Sequence, residues 1–293
     1  MAVAAFSTIV EWYDFTLYLY FATVLARVFY GGGEVSLVTT LAGFAVAYLM
    51  RPLGAIVFGH YGDRYGRRRM MLLSVSIMSL AMLATALLPT HAQIGPAAGW
   101  LLFALRCVMG FSVGGEYTGV VAYLLEGARQ ERRGLVTSSA SAASEIGALL
   151  AVGVSAVTVS SMSAPDLDSW GWRIPFLVGA ALAASVFIAR ATMQESPDFE
   201  RQRSAGTVPR NPIGYTLTHH RVGVARAFTI SALGSITYYV GITYVPALLT
   251  STGALGEGDS LWLSTVAALV VILVTPLIGG LSDRIGRKPV LLA

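Results

Sequence analysis

Apolar stretches of about 20 residues or more recur along the chain and are separated by short polar connectors. A helix needs about 20 apolar residues to cross the hydrocarbon core of a bilayer, so each stretch predicts a membrane-spanning helix. The predicted helices lie at about 3–30, 36–60, 69–90, 96–126, 134–161, 172–191, 224–251 and 260–282, and a ninth begins near 289. The pattern therefore predicts an all-α membrane protein.

Composition agrees with this prediction, because 55% of the residues are hydrophobic and only 12% are charged. Soluble domains carry about twice that share of charged residues, so a soluble enzyme is excluded. The single cysteine, Cys107, excludes an internal disulfide and a cysteine-based metal cluster. Paired histidines at 219–220 lack further ligands at a recognisable spacing. We expect no metal, no cofactor and no catalytic residue.

The basic residues predict the orientation of the helices. Sixteen of the 20 Lys and Arg residues fall on one side if the helices alternate in direction. They lie between helices two and three, between four and five, after six and after eight. The positive-inside rule predicts that these connectors and the N-terminus are cytoplasmic. We expect a multi-pass protein of a bacterial cytoplasmic membrane that contacts the lipid bilayer and does not bind nucleic acid.

An internal repeat predicts two similar halves. Residues 59–68 (GHYGDRYGRR) reappear as 279–288 (GGLSDRIGRK), an offset of 220 residues that fits six helices and a linker. The predicted units are a six-helix bundle at 1–192, a polar cytoplasmic linker at 193–223, and the start of a second bundle at 224–293. We expect the chain to end about halfway through the second half.

The repeated pattern G-x-x-x-D-R-x-G-R-R resembles the signature loop of the major facilitator superfamily. Further stretches at 11–15 (EWYDF), 110–119 (GFSVGGEYTG), 171–176 (GWRIPF) and 195–199 (ESPDF) resemble its metabolite:proton symporter group, which includes proline/betaine and 2-oxoglutarate permeases. The resemblance implies a fold of two pseudo-symmetric six-helix halves, of which this chain holds a truncated second half. It also implies transport by alternating access.

The signature loops supply a candidate cytoplasmic gate. Glycine there permits a tight turn with positive φ, which we expect at Gly62 and Gly66, and Asp63 can accept backbone N–H groups or pair with an arginine. The alternative is that the arginines only set topology. The residues predicted to form the gate are Gly59, Asp63, Arg64, Gly66, Arg67, Glu126, Arg132, Asp283, Arg284, Gly286 and Arg287.

Charged residues inside the apolar stretches form the second candidate site, because each costs a few kcal/mol or more at the bilayer centre. The candidates for substrate binding and proton coupling are Glu11, Asp14, Arg106, Glu116 and Glu145. Glu11 and Asp14 share a helix face and repel unless a cation or proton joins them. Arg106 and Glu116 could instead form a purely structural pair, and Glu145 needs a partner. Arg51 is expected to extend toward the cytoplasmic interface.

Glycines recur along helix four at 110, 114, 115 and 119, which predicts that another helix packs closely against it. The two helices either slide past each other during transport or only pack.

The sequence therefore predicts a monomeric secondary transporter that moves a small organic solute together with protons. The solute is either a zwitterion such as proline or betaine, or a carboxylate. Arg106 would face its carboxylate, and Asp14 and Glu116 are the favoured proton carriers. The alternative is a membrane sensor or scaffold on the same fold that does not transport.

Overall fold

A computed structural model describes residues 2–208, 211–238, 240–241, 245, 248–249, 252 and 257–292. The regular structure in these ranges is helical, as predicted. The helices are α1 (Ala2–Tyr20), α2 (Ala22–Tyr30), α3 (Glu34–Tyr48), α4 (Met50–Tyr65), α5 (Arg67–Ala86), α6 (His91–Ile94), α7 (Ala97–Gly114), α8 (Glu116–Gly127), α9 (Arg133–Ser161), α10 (Ala164–Asp166), α11 (Arg173–Ala191), α12 (Pro197–Ser204), α13 (Pro212–His219), α14 (Arg221–Tyr238), α15 (Glu257–Ile285) and α16 (Arg287–Leu292).

Six helical segments within the described ranges are long and apolar enough to cross a membrane. They are Glu34–Tyr65, Arg67–Ala86, Ala97–Gly127, Gln130–Ser161, Arg173–Ala191 and Thr265–Ile285. Each coincides with one of the predicted apolar stretches. The predicted helix at 224–251 begins within α14, and most of its remainder lies outside the described residues.

Three predicted helices are divided in the structure. The first is interrupted at Phe21, the second at Leu49 and the fourth at Gly115. At the second break Pro52 supplies the physical cause, because proline has no backbone N–H and its ring clashes with the carbonyl of Tyr48, four residues earlier. The break places Arg51 near the middle of the span Glu34–Tyr65.

Close contacts hold the fourth predicted helix against the second. A Cβ atom added to Gly110 would overlap the carbonyl of Ala47, and one added to Gly114 would overlap the carbonyl of Arg51. Glycine permits this approach of two backbones because it carries no side chain. Contact at this range fixes the rotation of α7 against α3 and α4, and so determines which of its residues face the bundle interior.

Helix α1 packs against α9 and α11. Its residues Tyr13 and Leu17, and Phe21 at the break that follows it, are fully buried in the largest apolar core. Most of the other contributors to this core come from α2, α5, α7 and α11, and α9 adds Ala151. Helix α15, from the second repeat, packs along α9.

Candidate functional site

Asp14 and Arg106 form a buried ion pair between α1 and α7. The guanidinium nitrogens Nη1 and Nη2 lie 2.8 and 3.1 Å from the two carboxylate oxygens, so the pair is bidentate. Their side chains are 5% and 3% exposed. The ring of Tyr18 lies beneath the guanidinium, 5.1 Å from its central carbon. Such parallel hydrogen bonds are the strongest geometry for an Arg–carboxylate pair.

Glu116 pairs with Arg190 on α11 at 2.6 Å, with side chains 0% and 1% exposed. The hydroxyl of Ser74 donates a second bond to Glu116 at 2.7 Å, and Arg190 also donates to the carbonyl of Met71 at 3.0 Å. The predicted alternative of a structural pair between Arg106 and Glu116 is therefore wrong. The two residues belong to α7 and α8, on either side of the break at Gly115, and each finds a partner on another helix.

Arg51 and Glu11 make the third buried contact, between α4 and α1. Arg51 Nη1 lies 3.3 Å from Glu11 Oε1, and the side chains are 20% and 3% exposed. The rings of Phe15 and Tyr48 lie against the guanidinium, with centroids 5.0 and 4.7 Å from its central carbon. The expectation that Arg51 extends to the cytoplasmic interface is wrong, because it turns inward near the middle of its span.

The two acids on one face of α1 do not share a cation. Asp14 is bound by Arg106 and Glu11 by Arg51, so like-charge repulsion between them is relieved by two separate arginines. Glu145 has the partner that the sequence required, because the hydroxyl of Tyr238 on α14 donates to it at 2.7 Å. This last contact joins the two repeats.

A small cavity of about 30 Å³ opens between α1, the junction of α3 with α4, and α7. Its lining includes Asp14 and the arginines Arg51 and Arg106, together with the rings of Phe15 and Tyr48. This volume suits a carboxylate group or about two water molecules. Two of the three buried ion pairs therefore border one space.

The first signature loop brings three of the predicted gate residues together. Arg67 contacts Asp63 at 2.6 Å and Glu126 at 3.4 Å. Gly66 has φ of 109°, a conformation that favours glycine, and it ends α4. The expected positive φ at Gly62 is wrong: this residue is helical and packs against Arg67 and Met70 instead.

The second signature loop reproduces this geometry and contacts the first bundle. Asp283 pairs with Arg287 at 2.5 Å, again four residues apart, and Gly286 has φ of 97°. The two oxygens of Asp283 accept the backbone N–H groups of Gly134 and Leu135, each at 2.8 Å. Asp283 therefore caps the first turn of α9 from a different helix.

The remaining gate candidates lie outside these two clusters. Gly59 is helical, and a Cβ added there would meet open space. Arg64 lies over the ring of Tyr65 at 5.5 Å. Within the described ranges, Arg132 and Arg284 take part in no ion pair.

Two residues were not identified as candidates from the sequence. The charge pattern groups Arg190 with the cytoplasmic connector after helix six, because it lies at the end of an apolar stretch. Glu195 was noted only as part of a motif, yet its Oε1 accepts the N–H of Arg68 at 3.0 Å, at the start of α5. A carboxylate soon after an apolar stretch was the available signal for Glu195.

The family model described as Major Facilitator Superfamily matches residues 4–293. The chain belongs to the major facilitator superfamily. Among superfamily relatives, it is 31% identical to the "Glycine betaine/proline/ectoine/pipecolic acid transporter OusA" of Dickeya dadantii, over 99% of this chain and 60% of the relative. It is 33% identical to the "Citrate-proton symporter" of Klebsiella pneumoniae, over 97% of this chain and 64% of the relative.

The superfamily fold is also found by comparison with solved structures. The proton:xylose symporter XylE, bound to 6-bromo-6-deoxy-D-glucose, matches with a TM-score of 0.77 and 20% identity. That match covers 98% of this chain and 69% of XylE. The chain spans about 60% of the length of the first curated relatives that it matches. The predicted superfamily and fold class are confirmed.

Proposed function

We propose that the whole protein is a secondary transporter that moves a small organic solute with protons by alternating access. The observation that carries this proposal is the Asp14–Arg106 pair, which lies within two apolar stretches of the chain and borders a cavity. Ionisable residues are costly there and mark substrate or proton pathways in membrane proteins. A scaffold protein would not require a buried carboxylate and an arginine at the edge of an internal cavity.

The names of the relatives support a solute that contains a carboxylate group. The names of OusA and the citrate–proton symporter specify zwitterions in one case and a carboxylate with a proton in the other. Glycine betaine, proline, ectoine, pipecolic acid and citrate all contain a carboxylate group. We therefore take a solute with at least one carboxylate as the substrate class.

The acids of α1, α8 and α9 remain the candidates for the proton carrier. Asp14 borders the cavity, whereas Glu116 is enclosed by Arg190 and Ser74. This difference supports Asp14 over Glu116, because a proton carrier must reach water during the cycle. Glu11 and Glu145 complete the set of candidates.

The arrangement in the membrane is part of the proposal. The N-terminus and the two signature loops face the cytoplasm of a bacterium, and the protein functions as a monomer. Residues 1–192 form the first bundle, 193–223 the linker and 224–293 the start of the second bundle. The Asp63 and Asp283 clusters hold the cytoplasmic side closed and separate when the solute is released inward.

Uptake by proteoliposomes tests the function. The whole protein is reconstituted, an inward pH gradient is imposed, and labelled proline, glycine betaine, 2-oxoglutarate, citrate and shikimate are supplied separately. We expect at least one solute to accumulate, and a protonophore to abolish its accumulation. If none of the five accumulates while the reconstituted protein is folded, the transporter proposal fails and the sensor alternative is favoured.

Exchange of solute across the same vesicles identifies the proton carrier. Counterflow of labelled against unlabelled solute needs no net proton movement. The variants compared are Asp14→Asn, Glu11→Gln, Glu116→Gln and Glu145→Gln. Replacement of the true carrier is expected to abolish accumulation while counterflow continues, because an amide cannot carry the proton.

A further inference from the structure

The Arg106 guanidinium, which the sequence assigned to the solute carboxylate, is already occupied. Both of its Nη atoms bind Asp14, and the side chain is only 3% exposed. A solute carboxylate would have to displace a bidentate, buried partner to reach it. Displacement of that kind leaves Asp14 buried without its counter-ion, which costs several kcal/mol.

Arg51 is bound far less completely. Its contact with Glu11 is a single one of 3.3 Å, longer than the 2.7–2.9 Å typical of charge-assisted hydrogen bonds. The guanidinium lies over the rings of Phe15 and Tyr48, which contact each other with centroids 5.8 Å apart, and the side chain is 20% exposed and lines the cavity. Ring faces orient a guanidinium without using its N–H donors. Several donors of Arg51 therefore remain available to a carboxylate in the cavity.

Glu11 is also incompletely bound. Its Oε2 atom is buried and has no hydrogen-bond partner among the described residues, although the side chain is only 3% exposed. A buried carboxylate oxygen without a donor is costly, so this pair is the weakest of the three in the bundle. Replacement of Glu11 by another carboxylate on Arg51 therefore costs less free energy than a partner exchange in the other two pairs.

The backbone around Arg51 is consistent with a binding site. The residue follows the break at Leu49 and precedes Pro52, near the middle of the span. Interrupted helices near the midplane form the binding sites of many secondary transporters. The adjoining cavity of about 30 Å³ holds a carboxylate group and not a whole solute, so the rest of the solute must extend beyond it.

We propose that Arg51 is the ligand of the solute carboxylate, which displaces Glu11 from it. This inference rests on the proposed function and deepens it. The carboxylate enters the cavity that Arg51 lines, beside the rings of Phe15 and Tyr48, and accepts N–H bonds from Arg51. Glu11 loses its counter-ion, and one of its carboxylate oxygens binds a proton that enters from the external solution. Binding of one carboxylate and uptake of one proton are thereby the same event.

The charges around Glu11 support this exchange. Arg51 faces it from α4, Glu116 from α8 and Arg190 from α11, and α9 carries the buried Glu145. Glu116 is neutralised by Arg190, and Glu145 accepts from Tyr238.

On its own helix, Asp14 is neutralised by Arg106. Arg51 is thus the cation that neutralises Glu11. When Arg51 binds a solute carboxylate instead, a proton is needed to neutralise the charge of Glu11.

The test compares four variants of the whole protein in proteoliposomes, with whichever of the five labelled carboxylates the wild type accumulates. Arg51→Gln is expected to raise the counterflow KM at least about tenfold, since the ligand is lost. Arg51→Lys should also raise it, because lysine lacks the planar fork. Glu11→Gln is expected to lower the counterflow KM by about threefold and to abolish accumulation driven by a pH gradient.

The matched control is Arg27→Gln, which removes an arginine from the exposed Arg27–Asp168 pair and should leave the KM unchanged. If the Arg51–Glu11 pair were purely structural, replacement of either residue would weaken solute binding, so a raised KM in Glu11→Gln overturns the proposal. An unchanged KM in both Arg51 variants, or accumulation by Glu11→Gln, also overturns it. If Arg51→Gln does not reach the membrane, the KM values of Arg51→Lys and Glu11→Gln decide whether the proposal holds. Failure of wild-type accumulation instead refutes the proposed function.

Discussion

Replacement of Arg190 by leucine removes the counter-ion of a fully enclosed carboxylate. In the native structure Glu116 is 0% exposed, receives the Arg190 guanidinium at 2.6 Å and accepts from Ser74 at 2.7 Å. Arg190→Leu leaves only the Ser74 bond. Loss of one partner of a buried pair destabilises proteins by about 3–5 kcal/mol, because the other charge stays buried. The Met71 carbonyl also loses its donor from Arg190.

Replacement of both partners should cost much less than the sum of the single replacements. Glu116→Leu leaves Arg190 buried without its carboxylate, so it is also strongly destabilising. In the Glu116→Leu/Arg190→Leu protein neither charge is buried, and replacing both partners by apolar side chains is often close to neutral. We expect a coupling energy of at least about 3 kcal/mol between the two positions, because the two single costs of about 3–5 kcal/mol each are largely absent from the double variant.

The assay is equilibrium unfolding of the purified protein in mixed micelles of mild detergent and sodium dodecyl sulfate. Arg27→Leu is the matched control, because its pair with Asp168 is about 40% exposed and should contribute at most about 1 kcal/mol. If the effects of the two single replacements add in the double variant, Arg190 does not neutralise Glu116. Accumulation driven by a pH gradient in the double variant would further indicate that the pair is structural and that Glu116 is not the proton carrier.

Three further predictions concern the signature loops and helix packing. Asp283→Ala removes both acceptors at the start of α9, so it should destabilise the protein by about 1–2 kcal/mol and speed hydrogen exchange at Gly134 and Leu135. Asp283→Asn keeps one acceptor and should have a smaller effect, and equal exchange rates in the wild type and both variants would contradict the cap. Gly114→Ala should destabilise the protein although alanine favours helix, because the added methyl group overlaps the Arg51 carbonyl. Gly59→Ala places its methyl group in open space and should stabilise by about 0.5–1 kcal/mol, and a change of unfolding temperature in the same direction for both variants would refute the packing. Asp63→Asn should change unfolding by at most about 1 kcal/mol yet reduce uptake per molecule in the membrane, and wild-type uptake would refute the gate.

The membrane helices and the repeat could be predicted from the sequence because both depend on local properties. A span is determined by the length of an apolar stretch and the thickness of the bilayer. The turn at Gly66 and its copy at Gly286 depend on residues within one loop, and each Asp–Arg pair spans only the four residues of that turn. These features need no knowledge of which helices are neighbours.

The partners of the buried charges were decided by the tertiary structure. Glu11 and Asp14, adjacent on one helix face, predicted a shared cation, yet their arginines come from two other helices. Arg190 was counted with the connector, although packing turns it inward to Glu116. Pairing depends on how each helix is rotated about its axis. That rotation results from many weak contacts between residues distant in sequence, including the glycine contacts of α7. No local stretch of sequence encodes that sum.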